Sequence, residues 1–125
     1  MVGVIDSDPV ARAALQSLLQ PVGVDVMGFD SAESYLLSGS SRSLACLIVD
    51  LLLPGMSGLE LLRRLRSNGN DVPVILLADE SDVPTAVAAM REGATDFIEK
   101  PYVNVAILKQ VQKLLHGQGG GAMLA

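Results

Sequence analysis

The chain has no tryptophan, one cysteine, one histidine, and only two Phe and two Tyr among 125 residues. A single cysteine excludes any disulfide framework within the chain, which fits a reducing, cytoplasmic setting. Cys46 lies inside an apolar run and reads as a small hydrophobe. His116 falls at the end of a helical stretch, where the helix dipole favours a cation, and needs no ligand role. No apolar run approaches the ~18 residues of a membrane span, and Asp6 breaks the N-terminal apolar run too early for a signal sequence. Basic charge is scarce as well. Nine Lys and Arg stand against 14 Asp and Glu, with no basic cluster and a net charge of −5, which argues against direct nucleic-acid binding. What remains is an aliphatic chain, 50% hydrophobic, whose core must be Val, Leu, Ile and Ala. Its length suits one domain with a proper core.

The most informative stretch runs from Leu44 through Val49 straight into Asp50, then Leu51-Leu52-Leu53 and the turn Pro54-Gly55. It lacks polar alternation, so it predicts a strand buried on both faces, as in a parallel sheet covered by helices. Val2–Ile5 predicts a first strand. Asp8 and Pro9 then suit the N-cap and first position of a helix to about Gln20, with Val10, Ala14, Leu15, Leu18 and Leu19 as its inward stripe. Val24, Val26 and Phe29 mark an edge strand. Asp30-Ser31-Ala32-Glu33 has capping-box character and opens a short helix to about Leu37, followed by a polar loop over 39–43. Ser57 and Glu60 form a second capping box before a helix with Leu61, Leu62 and Leu65 inward and Arg63, Arg64 and Arg66 as a solvated face. Val72–Leu77 predicts another buried strand, Val83–Arg91 a helix, Thr95–Glu99 a strand, and Val103–Leu115 an amphipathic helix. Residues 117–125 are a glycine-rich tail.

Five β-α units with right-handed crossovers predict an α/β fold: a five-stranded parallel sheet, order 2-1-3-4-5, with five helices on both faces. Asp6, Asp50, Ala78 and Lys100 then share the carboxyl edge of the sheet, where ligands bind in such folds. Two aspartates on neighbouring strands are costly unless a cation joins them. Oxygen donors of this kind suit Mg²⁺. Lys100 brings a positive charge fit for a phosphoryl oxygen, or for a plain salt bridge to either aspartate. Asp50 is a candidate nucleophile, since carboxylates form aspartyl phosphates, with catalysis by positioning and charge neutralisation.

Three motifs carry a resemblance: Val4-Ile5-Asp6-Ser7-Asp8-Pro9, Val49-Asp50-Leu51-Leu52-Leu53-Pro54-Gly55-Met56-Ser57-Gly58, and Asp96-Phe97-Ile98-Glu99-Lys100-Pro101. In order, spacing and strand-end placement they resemble the receiver (CheY-like) domain of two-component response regulators. The span from Gly93 to Pro101, with Val83-Pro84 upstream, is most similar to the FixJ-like transcription regulators. The resemblance implies a flavodoxin-like receiver domain over 1–116 and a tail over 117–125 that begins a linker to an output domain. It implies a signalling domain rather than an enzyme, catalysing at most its own phosphotransfer and dephosphorylation.

The resemblance also assigns roles. Asp50 is the implied phosphoacceptor, phosphorylated by a sensor histidine kinase. Asp6, Ser7 and Asp8 form the acidic pocket, and Asp6, Asp50 and the Leu52 carbonyl are implied Mg²⁺ ligands. Lys100 contacts the phosphoryl group, Ala78 and Phe97 occupy switch positions, and Pro101 follows a cis bond. The fourth helix, fifth strand and fifth helix form the implied output and homodimer face. DNA is reached only through an output domain, and no membrane is involved. Two positions depart from the pattern. Ser7 stands where the family has a second acid, which weakens Mg²⁺ binding, with Asp8 a substitute only if it gives up its N-cap. Ala78 stands where a hydroxyl would bond a phosphoryl oxygen. These departures leave open a phosphorylation-independent interaction or dimerisation module. The Asp6-Ser7-Asp8 pattern also resembles haloacid-dehalogenase-like phosphohydrolases, but the chain is short for their substrate cap. A flavodoxin lacks support because the first loop has no hydroxyl-rich phosphate cradle.

Overall fold

The computed structural model describes residues 1–38, 44–102 and 104–118. Its strands are β1 (Val2–Ile5), β2 (Val26–Phe29), β3 (Cys46–Asp50), β4 (Val74–Ala78) and β5 (Asp96–Glu99). Its helices are α1 (Pro9–Leu19), α2 (Ala32–Leu37), α3 (Gly58–Ser67), α4 (Val83–Arg91) and α5 (Asn104–Gln118). The sheet has the expected order β2-β1-β3-β4-β5, and all four pairings are parallel.

The continuous apolar runs have a direct structural cause. Side chains alternate across a strand, and both faces of this sheet are covered. Ile5, Leu47, Val49, Val74 and Leu76 pack toward α2, α3 and α4, against Leu61, Leu62, Leu65, Ala86 and Ala89. Val2, Val4, Cys46, Ile48, Ile75 and Leu77 pack the other way, against Leu15 and Leu19 of α1 and Ile107 and Val111 of α5. Each fully buried aliphatic side chain contributes about 1.5–3 kcal/mol. This aliphatic core clamps the strands, and so fixes where their carboxyl ends emerge.

Three local expectations need correction. Val10 is 74% exposed and Ala14 is also exposed, so neither belongs to the inward stripe of α1. Val10 lies five residues before Leu15, well off its face at ~100° per residue. In α2, Ser31 is the N-cap, extended at φ −156° and accepting from Ser34 N at 2.9 Å. Glu33 therefore sits one residue short of the position that closes a capping box, and its carboxylate goes elsewhere. On α3, Arg63 and Arg64 are exposed as expected, Arg63 making a surface bidentate bridge to Glu92 (2.7 and 2.9 Å), but half-buried Arg66 leaves the solvated face and donates to the carbonyls of Gly93 and Asn70. The predicted capping box Ser57–Glu60 is present with both of its hydrogen bonds.

Smaller shifts occur at element ends. β4 begins at Val74, two residues later than expected, and includes Ala78 as its last residue. α5 runs to Gln118, so residues 117 and 118 of the expected tail are helical. The loop expected over 39–43, the helix start expected at Val103 and residues 119–125 of the tail lie outside the described residues. No described helix is long and apolar enough to cross a membrane.

The link from β3 to α3 is tight. Gly58 N donates to Leu51 O at 2.9 Å. A Cβ on Gly58 would stand 2.8 Å from the Asp50 carbonyl oxygen and 3.0 Å from Leu51 Cα. Backbone there cannot yield without moving the strand end, so Gly58→Ala should destabilise by about 1–3 kcal/mol. Denaturant unfolding measures this, and a loss under about 0.5 kcal/mol, the range of neutral surface changes, would contradict the close approach.

Candidate functional site

β1 and β3 pair from Val2 with Cys46 to Ile5 with Val49, and the next residue on each is an aspartate. Asp6 is the buried charged residue among the described ones, at 4% exposure. Its Oδ1 accepts from Asp8 N at 2.9 Å, and its carbonyl oxygen accepts from Arg12 Nη1 at 2.6 Å. Asp50 is half-buried. Its Oδ1 accepts a long bond from Leu52 N (3.3 Å), and its Oδ2 lies 3.2 Å from Lys100 Nζ. Lys100 is delivered by the end of β5, where its backbone N donates to Ala78 O at 2.8 Å. The Lys100–Pro101 bond is cis, as the resemblance implied.

The electrostatics follow from two carboxylates sharing one ammonium. Burial pushes the Asp50 carboxyl up, Asp6 adds to the rise, and Lys100 opposes without cancelling it. For Lys100, burial alone would pull the ammonium down. Asp50, with smaller contributions from Asp6 and Asp79, outweighs it, and the net direction is up. Both partners therefore hold protons more tightly than in water. For Asp50 the cause is desolvation beside a second carboxylate, not the pairing.

The other expected site residues are placed as follows. Ser7 is exposed and adds no charge to the pocket. Asp8 is also exposed and caps α1, its carboxylate accepting from Val10 N at 2.9 Å, so it does not turn inward. Leu52 is 58% exposed, next to Asp50. Ala78 is buried in the α2–α4 side of the core, and Phe97 packs partly buried against the same cluster. The charged oxygens that the ends of β1 and β3 bring to this edge are the Asp6 and Asp50 carboxylates. Among the described residues, no three His, Cys, Asp or Glu side chains are grouped for a metal.

Three neighbours escaped the sequence reasoning. Arg12 follows Asp8 by four residues on α1, a spacing that turns it back over the end of β1. Glu33 closes no capping box. Its Oε2 instead accepts from Met56 N at 2.8 Å, in the loop after Asp50. Tyr102 is half-buried beyond Pro101. Burial raises its phenol, Asp6 adds to the rise, and Lys100 opposes it, so it lies within electrostatic reach of both.

Comparison with known proteins agrees with this geometry. The family model for the response regulator receiver domain matches residues 2–112. The chain is 41% identical to the transcriptional regulatory protein FixJ of Azorhizobium caulinodans over 114 residues, 91% of this chain and 54% of that protein. It superimposes on a response regulator receiver protein from Pseudoalteromonas atlantica with TM-score 0.87 at 39% identity, covering 94% of this chain and 98% of the other. Full-length FixJ from B. japonicum aligns with TM-score 0.88 at 33% identity, covering 97% of this chain and 60% of that one. The chain spans about half the length of the FixJ proteins it matches, 54% and 55%.

The charge arrangement fixes the sign of two substitutions. A carboxyl whose folded pKa is raised contributes stability that is fully present below its unfolded value, about 3.9, and lost as pH rises through the folded value. Asp50→Asn keeps the uncharged form at every pH, so it should raise the thermal midpoint at pH 7, with the gain vanishing below about pH 3.9. Lys100→Met should do the reverse at pH 7, because it leaves two aspartates unneutralised. Thermal unfolding of both variants across pH checks this. A lower midpoint for Asp50→Asn at pH 7 contradicts it.

Proposed function

The chain belongs to the response regulator receiver domain family, and from that membership we propose that Asp50 is a phosphoacceptor supplied by a sensor histidine kinase. The observation that carries the proposal is the Lys100–Asp50 contact of 3.2 Å beside buried Asp6 at the carboxyl edge of the sheet. In the transfer, one Asp50 carboxylate oxygen attacks phosphorus, the phosphorus–nitrogen bond to the kinase histidine breaks, and an acyl phosphate forms. Lys100 leaves its Asp50 ion pair to meet the added phosphoryl oxygens. The residues also suit Mg²⁺. Asp6, Asp50 and the Leu52 carbonyl would hold it, with water completing the shell. Once bound, it neutralises phosphoryl charge. Ser7 removes one acid from the usual set, so the affinity is weak.

The rest of the assignment follows the same membership. The receiver extends to the end of α5 at Gln118, and residues 119–125 begin a link to an output domain that carries the transcriptional function. The protein acts in the cytoplasm. The face of α4, β5 and α5 is the output and homodimer surface, supported by the exposed apolar residues Val87, Met90 and Val105. Ala78 lacks the hydroxyl that would bond a phosphoryl oxygen, a contact of roughly 1.5–3 kcal/mol. Phosphorylation therefore couples to this face less strongly than in a relative with Thr or Ser there.

Incubation with acetyl phosphate and Mg²⁺ should add one phosphoryl group to the wild type and none to Asp50→Asn, read by intact mass. Wild type that stays unmodified contradicts the proposal. Ser7→Asp should tighten Mg²⁺ binding by an order of magnitude or so. Equal affinities for the two proteins would remove Ser7 as the cause of weak binding. Ala78→Thr should enlarge the dimerisation shift on beryllofluoride addition, and an unchanged shift counts against the role given to Ala78.

A further inference from the structure

We infer that Glu33, on α2, is a positioning residue for the cation site, acting through the loop that joins Asp50 to α3. The inference rests on the assignment of Asp50 and Leu52 above. That loop is well anchored at its two ends. Leu51 N donates to Leu77 O, Gly58 N to Leu51 O, and the Ser57–Glu60 box closes the start of α3. Between these anchors lie Leu52, Leu53, Pro54, Gly55 and Met56. Among the described residues, the hydrogen bond that reaches this stretch from another element is Met56 N to Glu33 Oε2, 2.8 Å long and 23 residues away in sequence.

The contact is shaped for a carboxylate. Gly55 turns the chain at φ +74°, a conformation that favours glycine. A Cβ there would stand 2.5 Å from Glu33 Oε2, so the absence of a side chain is what lets the acid reach the amide. Glu33 is free for this because Ser31, not Asp30, caps α2. The Met56 amide in turn pulls the Glu33 carboxyl below its ordinary range, with its own backbone N–H assisting. Asp50 by itself restrains the loop only through the long 3.3 Å bond from Leu52 N. Glu33 therefore limits how far the Leu52 carbonyl can swing from Asp50. With Ser7 in place of an acid, the Leu52 oxygen carries a larger share of the donor set, and the restraint on it matters more.

The test compares Glu33→Ala with Glu33→Gln, which keeps an acceptor oxygen. Amide hydrogen exchange of the metal-free protein is read first, then a Mg²⁺ titration followed by NMR. Exchange at Met56 and Leu52 should quicken in Glu33→Ala and stay near wild type in Glu33→Gln. The Mg²⁺ dissociation constant should rise roughly three- to tenfold in Glu33→Ala and stay within about twofold in Glu33→Gln, at or below the low end for outer partners of metal ligands because Glu33 is exposed. Unchanged exchange in Glu33→Ala overturns the inference. So does faster exchange with unchanged Mg²⁺ affinity, or an equal loss in both variants. If wild type binds no Mg²⁺, the cation assignment fails by itself. Leu52 exchange then decides alone: faster in Glu33→Ala supports positioning, and unchanged overturns it.

Discussion

Two carboxylates and one ammonium at the end of a doubly buried sheet set the character of this molecule. Asp6 and Asp50 extend adjacent, paired strands, so the backbone ladder itself holds them side by side. Neither can retreat into solvent without breaking the pairing that the aliphatic core enforces. Lys100, at the end of β5, supplies one compensating charge at 3.2 Å from Asp50. The group is left one negative charge in excess. It is therefore poised to accept positive charge or to exchange Lys100 for a better arrangement of partners. A packed, ring-poor core and an under-neutralised edge are two sides of the same construction. The core supplies rigidity, and the edge stores electrostatic cost where chemistry happens.

The fold was legible in the sequence because its signals are physical and local. Unbroken apolar runs at Val2–Ile5, Leu44–Val49 and Val72–Leu77 report burial on both faces. Caps at Asp8 and Ser57 mark helix starts by hydrogen bonds that the structure contains. Where two local solutions compete, the sequence alone is ambiguous. Asp30 and Ser31 are both good N-caps; Ser31 takes the cap through its bond from Ser34 N, and Glu33 is left to reach the loop after Asp50. Val10 misled for a related reason. It is apolar, but its angular position on α1 points away from the sheet, and composition cannot report angle. Arg66 reads as part of a solvated face, but the chain end of α4 lies beside it and takes its guanidinium on the Gly93 carbonyl.

The site was legible as far as strand ends are concerned. Asp6, Asp50 and Lys100 each follow an apolar strand directly, so placing the strands places the residues. The supporting side chains were not, because they come from helices whose rotation is set by packing. Arg12 holds the carbonyl of Asp6, and Glu33 holds the loop after Asp50. Arg12 reaches back from the first turn of α1, whereas Glu33 reaches the loop across a sequence gap that no local pattern marks. The two departures, Ser7 and Ala78, sit on different parts of the machinery. Ser7 is exposed, next to buried Asp6. Ala78 is buried in the cluster that also holds Ala86 and Ala89 of α4. Under the proposed function, Ser7 bears on cation affinity and Ala78 on transmission, so capture of a phosphoryl group and its communication to the rest of the domain are separable.

Under the proposed function, the carboxylate of Asp50, and no other acid at this edge, accepts phosphate. Borohydride reduces an acyl phosphate to the corresponding alcohol, so an aspartyl phosphate is trapped as homoserine at the residue that carried it. Protein phosphorylated in the presence of Mg²⁺, reduced, digested and sequenced by mass spectrometry should show homoserine at position 50 alone. Homoserine at position 6 or 8, or none at all after a phosphoryl adduct has formed, would contradict the claim.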